Sequence, residues 1–106
     1  MSDEPSVASF QRSIEATFLE RDRRRGLAGT FVWFVEEVGE LARALKKGEP
    51  ENLREEFGDV LAWLSSLASL AGVDLAQAAA PYRDGCPSCH RRPCGCPLKT
   101  TPVGPF

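Results

Sequence analysis

Residues Phe34–Leu64 read FVEEVGELARALKKGEPENLREEFGDVLAWL, and this stretch decides the fold. Phe34, Val35, Val38, Leu41, Ala42 and Leu45 recur at helical spacing, and Phe31 extends that stripe backwards. Leu53, Phe57, Val60 and Leu64 repeat the pattern, with Leu67 and Ala71 continuing it. Lys46, Lys47 and Gly48 make a helix ending: cations at the negative pole, then a residue that tolerates left-handed φ. Pro50 suits the first turn of the next helix. So short a connection makes the two helices antiparallel neighbours.

The same stretch holds two acidic clusters. An α-helix turns by about 100° per residue, so residues three apart share a face. Glu37 and Glu40 form one such pair, with Trp33 and Ala44 on their face. Glu56 and Asp59 form the other, with Trp63 on theirs. In an antiparallel hairpin, residues equidistant from the turn stand at equal height. Glu40 and Glu56 are each eight residues from Gly48, and Glu37 and Asp59 are each eleven. Four carboxylates should therefore converge. Left alone they repel and shift one another's pKa values. A divalent cation resolves this, and all-oxygen ligation suits Mg²⁺, Mn²⁺ or Ca²⁺ rather than zinc. A solvated acidic face is the competing explanation, but the matched spacing and register argue against it. Glu36 and Glu55 point away from the cluster centres and fit that plainer role.

Working outward, Val7, Phe10, Ile14 and Phe18 predict a first helix from about Pro5 to Arg24, broken by Gly26 and Gly29. Thr30 is the expected N-cap of the second helix, which runs to Lys47. The third runs from Pro50 to about Ala71 and ends at Gly72. Asp74 with Gln77 resembles a capping box for a short fourth helix, which Pro81 should stop or kink. Strand signals are weak throughout. The expected fold is all-α, an antiparallel helical bundle over 1–83. A Cys-rich module (84–97) and a flexible tail (98–106) follow.

Composition narrows the function classes. The chain has 106 residues, enough for one small domain with a limited core, so help from a metal or a partner subunit is expected. Charges interrupt every apolar run, and no membrane span is expected. The segment MSDEPSVASF lacks a basic region followed by an apolar one, which makes the cytoplasm the default location. A net charge of −2 does not suggest nucleic acid as a partner.

EEVGEL (Glu36–Leu41) followed by EEFGDVL (Glu55–Leu61) resembles the MazG-like nucleotide pyrophosphohydrolases, whose pattern is EExxE, a gap, then ExxD. Their all-α relatives include dimeric dUTPases, dCTP pyrophosphatases and phosphoribosyl-ATP pyrophosphohydrolases. The likeness covers about Phe10 to Ala80. It implies that Glu37, Glu40, Glu56 and Asp59 hold Mg²⁺ (or Mn²⁺), with Glu36 supporting those ligands from behind or reaching the metal through water. It also implies hydrolysis of a nucleoside triphosphate between the α and β phosphates, giving a monophosphate and pyrophosphate, with Glu37 or Glu40 as general base. Family members complete the bundle by oligomerisation, so a homodimer or homotetramer is expected.

Trp33 and Trp63 are candidates for stacking on the base, or equally for core or subunit packing. Arg21, with Arg23, Arg24 and Arg25, either contacts phosphates or simply suits a helix C-terminus. Lys46, Lys47 and Arg54 carry the same two readings.

CPSCHRRPCGC supplies Cys86, Cys89, Cys94 and Cys96. Four thiolates can close a tetrahedral structural zinc site, and His90 can stand in for one of them. Haem attachment through CPSCH is the weaker alternative, since two further cysteines need a role, and a redox dithiol is another. At the level of function, a catalytically silent, zinc-stabilised interaction protein and a phosphoribosyl-ATP-hydrolysing enzyme stand beside the triphosphate hydrolase.

Overall fold

The computed structural model describes residues 3–100. Most of the expected tail lies outside that range. Among the described residues the chain is all-helical. Helix α1 spans Val7–Lys47, α2 spans Pro50–Leu70 and α3 spans Leu75–Ala79, followed by a 3₁₀ turn at Ala80–Tyr82.

Ser6 starts α1 with a capping box: its hydroxyl accepts from the Ser9 N–H (3.1 Å), and the Ser9 hydroxyl accepts from the Ser6 N–H (2.9 Å). The helix bends at Gly26 alone (φ 86°, ψ 165°), a conformation open essentially only to glycine. This corrects the expected break. Gly29 is helical, and Thr30 is not an N-cap but a fully buried residue inside the second arm. Gly29 has another use: a Cβ there would lie 2.9 Å from Cγ of Arg25, whose stem passes over it.

At Gly48 (φ 76°) the chain turns as expected, with its N–H donating to the Ala44 carbonyl at 2.8 Å. Gly72 (φ 74°) closes α2, and the Val73 N–H reaches back to the Ala68 carbonyl (2.8 Å). Asp74 caps α3 by accepting from the N–H groups of Ala76 and Gln77. Buried Gln11 ties the first arm of α1 to this corner. Its amide donates to Ser69 Oγ (3.1 Å) and the Val73 carbonyl (2.9 Å), and accepts from the Leu75 N–H (2.9 Å).

Packing supplies the second correction. Helix α1 packs chiefly on α2. The buried residues include Thr30, Ala44, Ser65, Ser66 and Ala68, which are small or polar. The stripes expected to make the core are only partly covered: Ile14 is buried and Phe34, Leu41, Leu53, Val60 and Leu67 are half-buried, but Phe31 and Phe57 are each 54% accessible, and Val35, Val38, Leu45 and Leu64 are also exposed. Helix geometry explains this. Neighbouring residues point about 100° apart, so turning Glu37 and Ala44 toward α2 turns Val38 and Leu45 out of that interface. The radius of gyration is 16.2 Å, against about 13 Å for a compact chain of 100 residues.

Candidate functional site

Glu37 projects from α1, and Glu56 and Asp59 project from one turn of α2. The three offer carboxylate oxygens that all lie within 4.8 Å of one another. Glu40 is not in this trio. It forms a salt bridge with Arg43, one turn along its own helix. Glu36 and Glu55 are exposed, away from the meeting point.

Burial raises the Glu37 carboxyl above the ordinary carboxylate range, and the charges of Asp59, Glu56 and Glu40 push it further up. Glu56 Oε2 is buried with no hydrogen-bond partner. A buried carboxylate oxygen normally has a donor. Hard oxygen donors crowded this closely, one of them orphaned, fit a divalent cation of the Mg²⁺ type.

The tryptophans adjoin the acids. Trp33 and Trp63 are each fifteen residues from Gly48, and they stack across the hairpin with centroids 6.3 Å apart and 20° between planes. The Arg25 guanidinium sits 4.9 Å from the centre of the Trp63 ring. It is held by the buried Asp22 carboxylate at 2.9 Å, and it lies 3.5 Å from Thr30 Oγ1. A base that stacks on Trp63 therefore competes with contacts already made.

A cavity of about 260 Å³ opens beside this group, lined by Arg21, Asp22, Arg25, Asp59, Trp63 and Ser66 among others. Arg21 shares its wall with Trp63 and with one acid of the trio, Asp59. Lys46 and Arg54 do not line it; both are exposed. Sequence reasoning missed the role of Asp22. The available signal was an aspartate three residues before an arginine inside an otherwise cationic run. A larger cavity, about 360 Å³, lies at the Gln11–Asp74 corner, and the acids among its lining residues are Glu15 and Asp74.

The four cysteines also come together, their Sγ atoms all within 4.8 Å of one another, and His90 is not among them. All four are free thiols. The Cys86 thiol is held down to about 6, chiefly by the backbone N–H groups of Cys89 and Ser88. Cys96 is pushed up to about 12 by the neighbouring thiols, Cys94 first.

The MazG nucleotide pyrophosphohydrolase domain model matches residues 27–84, more than half of the chain. The chain belongs to that family, whose members are metal-dependent hydrolases of nucleotides. The match begins just after the Gly26 bend and stops before Cys86, so Arg21, Asp22, Arg25 and the four cysteines lie outside it. No curated protein matches the chain. No single helix among the described residues is long and apolar enough to cross a membrane.

Proposed function

We propose that the chain is a Mg²⁺-dependent nucleoside triphosphate pyrophosphohydrolase, releasing a monophosphate and pyrophosphate in nucleotide-pool housecleaning. The observation that carries this reading is the meeting of Glu37, Glu56 and Asp59 beside a cavity walled by Trp63 and arginines. Glu56 and Asp59 hold Mg²⁺ (or Mn²⁺) with Glu37, and Glu40 joins them on releasing Arg43. When bound, the metal neutralises phosphate oxygens, orients the triphosphate and acidifies the attacking water.

The chain's own groups do the rest. Arg21 and Arg25 draw the phosphates toward the cavity. Trp33 and Trp63 offer apolar faces to the base. Glu37 is preferred to Glu40 as proton acceptor, because its carboxylate stands in the trio beside the cavity whereas Glu40 stands outside it. The exposed stripes around Phe31 and Phe57 are covered by a second copy in a homodimer, or in a tetramer of such dimers. The cytoplasm is the corresponding location.

A panel of ribo- and deoxyribonucleoside triphosphates plus phosphoribosyl-ATP, assayed for pyrophosphate release with Mg²⁺ or Mn²⁺, tests the proposal. At least one should be turned over by the wild type and not by Asp59→Asn. Silence toward the whole panel at high enzyme, in folded protein, favours a non-catalytic role instead. Turnover of phosphoribosyl-ATP alone reassigns the substrate.

A further inference from the structure

The cysteine module plays no part in the proposed hydrolysis, yet its geometry is specific. Cys86 Sγ lies 3.8 Å from Cys96 Sγ, and Cys89 Sγ lies 3.8 Å from Cys94 Sγ. Zinc–thiolate bonds are about 2.3 Å long, and a regular tetrahedron of that radius places its corners about 3.8 Å apart. The two sulfur pairs thus have the edge length of a tetrahedral zinc site. An iron–sulfur cluster has several atoms between its thiolates and needs a wider ring than one in which every separation is within 4.8 Å.

The backbone is built around the sulfurs. The Gly95 N–H donates to Cys89 Sγ and the Cys96 N–H to Cys94 Sγ, both at 3.3 Å. Such donors favour thiolate over thiol. The loop is closed by the Cys86 N–H to the Arg91 carbonyl (3.1 Å) and the His90 N–H to the Cys86 carbonyl (2.8 Å). Gly85 makes that closure possible: φ is 124°, and a Cβ would stand 2.9 Å from the Arg91 carbonyl oxygen. His90 takes up a left-handed φ of 60° in the same turn. A residue held there carries strain, and the loop accepts it while gathering four sulfurs at one point.

We propose that Cys86, Cys89, Cys94 and Cys96 bind one Zn²⁺ per chain in a closed, structural site. Four thiolates fill the tetrahedron and leave no position for substrate or water. Binding releases the protons still carried by the thiols. The site is separate in ligand chemistry from the carboxylate trio: soft sulfur selects zinc, and hard oxygen selects magnesium. With so few apolar residues buried among 84–97, the metal supplies the cohesion that a core supplies elsewhere.

The test is elemental analysis of the purified full-length chain after dialysis against excess Mg²⁺. One zinc per chain is expected. It should fall to background in Cys89→Ser and Cys94→Ser, while the far-ultraviolet dichroism of the helices persists. Cobalt added to wild type stripped of metal under reducing conditions should give the visible bands of a tetrahedral thiolate site, and zinc should bleach them. Three results overturn the proposal: stoichiometric iron; a metal-free chain with four titratable thiols that takes up neither zinc nor cobalt; or two disulfides in freshly isolated protein. None of these readouts depends on hydrolysis.

Discussion

The carboxylates of Glu37 and Glu56 belong to opposite helices of a hairpin, yet their oxygens lie within 4.8 Å of each other, with Asp59 equally close. Without a cation this arrangement opposes folding. The sign follows from Glu37, whose pKa in the fold is raised above its usual 4.5 by burial and by the neighbouring acids. Between those two values the folded chain keeps a proton that the unfolded chain has lost. Stability of the metal-free protein therefore falls as pH rises through this window. Thermal melts in chelator across mildly acidic to neutral pH should show the decline. Glu37→Gln should lose that component of the decline, melt higher than wild type at neutral pH, and lower kcat by roughly 10²–10⁴-fold. An unchanged pH slope in Glu37→Gln contradicts the electrostatic reading.

Mg²⁺ should reverse this penalty. Saturating Mg²⁺ should raise the melting temperature of the wild type at neutral pH, since a ligand that binds only the folded state stabilises it. Glu56→Gln removes the orphaned buried oxygen's charge and should abolish most of the rise. An equal rise in both proteins puts the cation elsewhere.

The chain's two tryptophans are Trp33 and Trp63, so intrinsic fluorescence reports on this one place. Nucleotide binding should change the emission in wild type. Trp63→Ala should raise KM by roughly 5- to 150-fold, corresponding to about 1–3 kcal/mol for base–aromatic stacking. If KM is unchanged and only the melting temperature drops, Trp63 is packing alone.

The exposed apolar stripes lead to an association test. Wild type should elute and scatter light as a dimer or tetramer, and Phe31→Glu with Phe57→Glu should shift it toward monomer. A wild-type monomer at micromolar concentration removes the second copy from the proposal.

Gly26 sets the angle between the arms of α1 and so brings Arg21 and Arg25 to Trp63. Gly26→Ala has open space for its methyl group but meets an unfavourable φ. It should destabilise the chain by about 1–3 kcal/mol, read by denaturant melts. A neutral result means the bend is not strained.

Much of the site was legible because helix geometry is periodic. The distances of Glu37, Asp59 and Glu56 from Gly48 along the sequence bring them together across the hairpin, and the stacking of Trp33 on Trp63 obeys the same register. The direction of packing was not legible. An apolar stripe signals burial without saying whether the second surface belongs to the same chain, so Phe31 and Phe57 read as core although the lone chain exposes them. Thr30 looked like a cap because its side chain suits one; the bend at Gly26 instead absorbs the break, and Thr30 lies beside Arg25. Glu40 fitted the register, but Arg43, three residues on, captures its carboxylate. Gln11 and Asp22 act through contacts on which hydrophobic periodicity is silent.

Phosphorus-31 NMR of the products tests the central proposal most directly, because it identifies the bond that breaks. Wild type with Mg²⁺ and a nucleoside triphosphate that it accepts should yield monophosphate and pyrophosphate resonances in equal amounts, and Glu37→Gln should yield neither. Diphosphate with orthophosphate, or pyrophosphate formed equally well by Glu37→Gln, contradicts it.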